Sequence, residues 1–296
     1  GETIGKCEST IARLHNRGIA TLLDYSAEGK ESEADFDNSA REVTKTINLA
    51  EHDERIPFCV FKPSALIRLK LLAKLNVKGT LNQKEQEEWH RAKMRVHGIC
   101  KAGYDKGVGI FIDAEESWIQ DTIDNLAEEM MQEFNQDKVV VFNTAQLYRK
   151  DRLAYLQTSL SNAKKGGYKL GLKLVRGAYM EKERERARKQ GYPSPIHETK
   201  EATDRDYDLA LKFCLDNYPH IQIIAGTHNE KSSKYLAELM AARFLEVNDP
   251  NIYFSQLYGM SDNIGFNLSA KNYNVVKYVP YGPILEVMPY LIRRAE

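Results

Sequence analysis

The chain has 296 residues, 42% hydrophobic and 28% charged, with Lys+Arg and Asp+Glu balanced at 42 each. A chain of this size suits one barrel or two small domains, and the balanced charge removes any bulk electrostatic case for a nucleic-acid partner. No apolar run approaches the roughly 18 residues of a membrane-spanning helix, so no transmembrane segment is expected.

The first residues, Gly1-Glu2-Thr3, carry neither a Met nor a signal-peptide pattern and read as the start of a trimmed core. Cys7, Cys59, Cys100 and Cys214 lie far apart and form no CxxC. That spacing argues against a zinc site and for buried thiols in a reducing compartment. No metal is expected.

In chain order, short apolar and β-branched runs predict strands over residues 20–24, 57–62, 108–113, 139–143, 170–175, 221–225, 252–256 and 275–279. Helical patterns fall over 65–75, 83–103, 117–135, 152–164, 203–216, 231–243 and 284–294. Strands alternating with helices imply a parallel sheet. Eight such units predict a closed (β/α)₈ TIM-like barrel, one domain over residues 1–296. A doubly wound open sheet is the alternative, but no Gly-rich dinucleotide fingerprint follows any strand. The long connection 64–107 should carry two helices. In the connection 176–203, the run Glu181-Lys182-Glu183-Arg184-Glu185-Arg186 reads as a solvated helical face. Tyr192-Pro193-Ser194-Pro195 reads as a rigid loop, and long loops often cover sites.

A barrel places its site at the C-terminal ends of its strands, and each predicted strand ends in polar groups. Asp24 and Glu28 follow the first, Lys62 ends the second and Asp113 the third. Gln146 follows the fourth, Arg176-Gly177-Ala178-Tyr179 the fifth and Thr227-His228-Asn229 the sixth. Gln256-Leu257 ends the seventh, and Tyr278 lies in the eighth. Singly, each has a plainer use: Asp113 as a helix cap, Lys62 as one half of an ion pair, Tyr278 as barrel packing. Jointly, they converge on one mouth rich in cations, with Lys173 added from within the fifth strand. In Tyr290-Leu291-Ile292-Arg293-Arg294, a helix would put one phenol and two guanidiniums on roughly one side. Adjacent guanidinium forks match a carboxylate or phosphate, although cations also suit a solvated helix end. Such a mouth fits a small ligand with a carboxylate and an amine, or an electron-rich cofactor with a pyrophosphate. Amidohydrolase chemistry fits poorly, because no His-x-His pair follows the first strand. No Ser, Cys or Lys nucleophile has an obvious partner base.

LDYSAEGKES (23–32), FKPSAL (61–66), IDAEES (112–117), KLVRGAYM (173–180), GTHN (226–229), QLYGM (256–260), YVPYG (278–282) and YLIRR (290–294) resemble, in order and across nearly the whole chain, proline dehydrogenase. The order of the basic pair Lys173…Arg176 is similar to that of the monofunctional type of this flavin enzyme. The resemblance implies a distorted (β/α)₈ barrel holding FAD non-covalently. It implies oxidation of L-proline to 1-pyrroline-5-carboxylate, the first step of proline catabolism, with hydride passing from C5 to flavin N5. By resemblance, Arg293 and Arg294 bind the proline carboxylate with Lys62 in support, and Asp113 orders the polar side of the site. Tyr179, Leu257, Tyr278 and Tyr290 wall the ring. Gln146, Lys173, Val175, Arg176, Gly177 and Gln256 are implied as flavin contacts. Thr227, His228 and Asn229 would lie at the flavin's phosphate or ribitol region, and Glu28 would pair with Arg293 as a gate. The implied electron acceptor is a membrane quinone. That would place the protein peripheral to the bacterial inner membrane, in the cytoplasm, or on the matrix side of the mitochondrial inner membrane. The family pattern has an N-terminal arm and a tail beyond the Arg pair, and this chain is expected to be the core between them. A methylenetetrahydrofolate-reductase-like flavin barrel and a non-catalytic ligand-binding barrel are the competing readings.

Overall fold

Eight strands carry side chains that alternate between a barrel interior and an outer layer of helices in the computed structural model, which describes residues 2–26, 28–284 and 287. The strands are β1 (Ile19–Tyr25), β2 (Phe58–Phe61), β3 (Gly109–Ile112), β4 (Val141–Gln146), β5 (Leu170–Val175), β6 (Ile221–Gly226), β7 (Ile252–Leu257) and β8 (Val275–Tyr281). Each pairs in parallel with the next, and β8 closes on β1 from Ile19↔Val275 to Tyr25↔Tyr281. Parallel neighbours cannot be joined by tight hairpins, so every connection must cross back outside the sheet. Helix α1 (Glu8–His15) precedes β1, and the helices that cross back are α2 (Glu33–Ala50), α3 (Leu69–Asn76), α4 (Gln83–Lys106), α5 (Ser117–Phe134), α6 (Arg152–Gly166), α7 (Met180–Gln190), α8 (Lys200–Asp216), α9 (Glu230–Ala242) and α10 (Asp262–Ser269). This is the predicted single-domain (β/α)₈ barrel.

Alternation sorts the core into two bodies. Leu22, Phe58, Val60, Phe111, Phe142, Ile224, Val276 and Tyr278 fill the barrel. Their outward neighbours, such as Leu23, Cys59, Ile112 and Leu174, pack against the helices. The barrel floor is aromatic. Phe58 lies 4.9 Å from Phe111 and 4.9 Å, edge-on, from Tyr253, and Phe111 lies 5.0 Å from Phe142. Gly109 makes this possible, because a Cβ there would stand 2.4 Å from the Phe58 ring. With its floor plugged, the barrel opens a cavity toward the C-terminal ends of its strands.

Several element boundaries depart from the sequence reading. The strand expected over 139–143 begins at Val141, because the Asn135 side chain accepts the N–H groups of Val140 and Val141 at 2.9 and 2.8 Å. The helix expected over 65–75 is split. Pro63–Ala65 forms a 3-10 turn, and α3 starts only after Arg68, whose guanidinium turns to Glu88 of α4 at 2.7 Å. Helices α1, α2 and α10 were not expected. The segment 64–107 does carry two helices, the second opening with an Asn82–Glu85 capping box. The charged run in α7 is not wholly a solvated face. Glu183 is fully buried and accepts the Ser117 N–H at 2.6 Å and the Ser117 hydroxyl at 2.7 Å. A carboxylate from α7 thus caps the N-terminus of α5, where negative charge is favoured by the helix dipole. The Pro-rich loop lies against the segment after β4, with Lys150 N–H on the Pro195 carbonyl at 3.0 Å. The helix expected over 284–294 lies almost entirely outside the described residues.

Candidate functional site

Strand alternation also builds the site. The inward core residues Leu22, Val60 and Phe111 are followed two positions later by Asp24, Lys62 and Asp113, and Phe142 is followed by Thr144 and Gln146. The hydrophobic stack therefore ends in a polar layer on the same face. Above it lies a cavity of about 500 Å³ whose wall includes Asp24, Lys62, Asp113, Lys173 and Tyr278. Gln146, Val175, Arg176, Gly177 and Tyr179 continue that wall, and Thr227, His228, Asn229, Gln256 and Leu257 complete the set expected from sequence. Glu28 stands outside the lining, but its charge reaches Asp24 and Lys62. Tyr290, Arg293 and Arg294 lie outside the described residues.

One flank, built from β1, β2, β3, β5 and β8, is a cluster of charges in which Asp24, Lys62 and Lys173 are buried and Asp113 is half-buried. Lys62 Nζ is 3.9 Å from Asp24 Oδ2 and 3.9 Å from Asp113 Oδ2. Burial works against the Lys62 charge, but the carboxylates of Asp24, Asp113, Glu28 and Glu115 outweigh it and raise the Lys62 pKa. Lys173 donates to Asp113 and, at 2.6 Å, to the Tyr278 hydroxyl. Burial lowers the Lys173 pKa despite the Asp113 carboxylate beside it. Burial also pushes the Asp24 carboxyl above the usual carboxylate range, against the pull of Lys62. Neither Asp24 oxygen has a hydrogen-bond partner among the described residues.

The other flank joins the end of β5 to β6, α8 and α9. Arg176 donates to Asp204 at 2.6 Å, Thr227 Oγ1 at 2.6 Å and Ser232 Oγ at 2.9 Å, and its guanidinium lies 4.3 Å from the centre of the Tyr207 ring. Lys200, which also lines the cavity, donates to Asp204 at 2.6 Å. Burial opposes the Asp204 charge, but Lys200 and Arg176 hold its carboxyl below the usual range. His228 Nδ1 is 3.0 Å from Ser261 Oγ.

A flavin fits these residues. Gln256 lines the cavity, but its side chain lies on the outward face of β7 with Phe254, where a Cβ on Gly265 of α10 would stand 2.9 Å from Gln256 Oε1, so the fit rests on the charged wall. Lys173, Arg176, Lys200 and the Thr227–His228 turn form a cationic, donor-rich wall suited to phosphate and to a ring that gains negative charge. Among the described residues, no group of three His, Cys, Asp or Glu side chains could hold a metal ion. No described helix is long and apolar enough to cross a membrane.

Other lining residues were missed as site members: Ala114, Thr144, Ala178, Lys200, Gly226, Ser255 and Met260. Asp24 was noticed only as a countercharge. Strand alternation signals Asp24, Thr144 and Ser255; nothing local signals Lys200 or Met260.

A family model described as proline dehydrogenase matches residues 7–296. A carbapenem antibiotics biosynthesis protein, CarD, from Pectobacterium carotovorum subsp. carotovorum is 34% identical across 100% of this chain and 76% of its own. Human mitochondrial proline dehydrogenase 1 is 39% identical over 71% of this chain and 36% of its own, and the Drosophila melanogaster protein of that name is 40% identical over 72% and 33%. The solved structure of proline utilization A from Bdellovibrio bacteriovorus superposes with a TM-score of 0.88 at 21% identity, over 99% of this chain and 31% of its own. The chain therefore spans about a third of the length of the mitochondrial and proline utilization A relatives.

Proposed function

Because the chain belongs to the proline dehydrogenase family, we propose that it oxidises L-proline to 1-pyrroline-5-carboxylate, with FAD held in the cavity at the barrel mouth. The observation that carries this reading is the cavity itself. It joins a Lys62–Asp24–Asp113 charge cluster, in which neither buried Asp24 oxygen has a hydrogen-bond partner among the described residues, to a cationic wall of Arg176 and Lys200. FAD, when bound, accepts the hydride that leaves C5 of proline.

The protein's part is binding, orientation and electrostatics. Arg293 and Arg294 would clamp the substrate carboxylate, with Lys62, kept charged by its carboxylate neighbours, in support. Fixing that end of the ring fixes C5, an orientation effect. Tyr179 and Tyr278, each 6% exposed, and Leu257 would wall the ring and keep water out. Asp113 accepts from Lys173 and thereby orders the polar side. Gln146, Val175, Gly177, Gln256 and Asn229 would hold the cofactor. Arg176 and Lys173 would stabilise negative charge arriving on it, and Thr227 and His228 would face its phosphate or ribitol region. The amine proton is lost to water before hydride transfer. Glu28 would close the mouth by pairing with Arg293. Electrons would continue to a membrane quinone, placing the protein peripheral to the bacterial inner membrane or on the matrix side of the mitochondrial one.

Arg294→Met tests the clamp. The variant should keep FAD while its KM for proline rises about tenfold or more, since a charge-assisted bond to a carboxylate is worth about 1.5–3 kcal/mol. An unchanged KM would overturn the assignment.

A further inference from the structure

Next to the cavity runs a line of contacts that the oxidation does not use. Glu115, 3% exposed, accepts the Ser64 N–H on Oε1 at 2.8 Å and the Ser64 hydroxyl on Oε2. Ser64 in turn accepts two consecutive amides of the loop after β1. The Gly29 N–H reaches Ser64 Oγ at 3.1 Å and the Lys30 N–H reaches the Ser64 carbonyl at 3.0 Å. Gly29 takes a φ of 61°, in the left-handed region open to glycine. Glu115 is itself fixed by its backbone, donating to Gln120 Oε1 at 2.8 Å and accepting from the cavity residue Gln146 at 2.7 Å. One carboxylate thus orients the residue on which the Glu28-bearing loop docks.

We propose that Glu115, acting through Ser64, is a positioning residue that holds the 28–30 segment, and with it Glu28, at the edge of the cavity mouth. The contact is a latch with a titratable end. A charged carboxylate takes both Ser64 donors. A protonated one must donate to Ser64 Oγ, and the Ser64 hydroxyl hydrogen then loses its buried acceptor. Burial pushes the Glu115 carboxyl up to about 7, opposed by the Ser64 hydrogen bonds and assisted by the charge of neighbouring Glu116. The remaining charges facing it are Lys62 at the end of β2 and, through Glu116 at 2.9 Å, Lys182 of α7. The latch is engaged above about pH 7 and loosened below it.

The test has two arms, and only the second rests on the proline reading. In the FAD-loaded protein without ligand, hydrogen exchange at the Gly29 amide should be slow at about pH 8, above the Glu115 value near 7. It should quicken about fivefold or more in Glu115→Gln and in Ser64→Ala, the loss of one ordinary hydrogen bond, and return in Ser64→Thr, which keeps a hydroxyl. Unchanged exchange in both variants would overturn the latch. In the second arm, the Kd of tetrahydrofuran-2-carboxylate, a ring acid with no amine of its own to titrate, is followed across the value near 7. Wild type should bind about fivefold tighter above it than below, and Glu115→Gln should lose that step. A step that persists in Glu115→Gln would also overturn the latch. Exchange that responds in a protein that does not turn over proline would support the latch and reject the proline reading.

Discussion

On the flank formed by β1, β2 and β3, Lys62 and Asp24 are buried and Asp113 is half-buried; Lys62 Nζ stands 3.9 Å from each carboxylate, Asp113 is held closer by Lys173, and both Asp24 oxygens lack a hydrogen bond among the described residues. On the flank formed by β5, β6, α8 and α9, Arg176 makes three side-chain hydrogen bonds of 2.6–2.9 Å and stacks on Tyr207. Buried charges without full pairing are costly, and a fold tolerates them where a ligand completes the set. A charge already satisfied by its own protein is a scaffold, placed before any ligand arrives. The first flank is therefore suited to bind and orient a charged substrate. The second is suited to hold a fixed positive potential beside a cofactor.

Removing the central cation of the loose flank should have the largest effect. Lys62→Met takes from the buried Asp24 its ion-pair partner, while Asp113 keeps Lys173, and unpairing a buried charge costs about 3 kcal/mol or more. Urea denaturation near neutral pH should show that deficit. The deficit should shrink as pH falls, because Asp24, already raised above the usual carboxylate range by burial, then takes up a proton and no longer needs the cation. A variant as stable as wild type at neutral pH would mean the cluster carries no charge to balance.

On the tight flank, Arg176→Ala should weaken FAD binding by about tenfold or more, the loss of charge-assisted bonds, and lower the flavin reduction potential. The fold itself should stay nearly as stable, since Lys200 still neutralises Asp204 at 2.6 Å. Equal FAD affinity and equal potential in wild type and variant would dissolve the contrast between the flanks.

The smallest effect is expected at Tyr278, where the flanks meet through Lys173. Its ring should resist a hydroxyl added at C4 of proline, so L-proline should be preferred over trans-4-hydroxy-L-proline. Tyr278→Ser should narrow the ratio of kcat/KM values by roughly tenfold, mostly by losing activity on proline, since shape alone rejects an added hydroxyl only modestly. An unaltered ratio would remove Tyr278 from the specificity wall.

The barrel was legible because its strands are short apolar, β-branched runs set between helical stretches; β5 occupies the expected span. Strand alternation places Lys62, Asp113 and Gln146 at one mouth and would have placed Asp24 there as a site member. Helix α2 was hidden because its buried stripe mixes Phe36, Val43, Ile47 and Ala50 with Ser39 and Thr46, so its apolar period is diluted. What stayed invisible were partners distant in sequence. Ser64 binds Glu115, Ser117 binds Glu183, and Arg176 binds Asp204 and Ser232 only after the crossover helices have returned to the sheet. Local pattern can tell that Glu183 belongs to a helix, but not that it caps another one.

The central claim is that this mouth oxidises proline against a bound flavin, and the visible spectrum of the FAD-reconstituted protein tests it most directly. Under anaerobic conditions, L-proline should bleach the flavin absorption, with 1-pyrroline-5-carboxylate formed in equal amount. A protein that binds FAD yet keeps its spectrum unchanged at saturating L-proline would contradict the account.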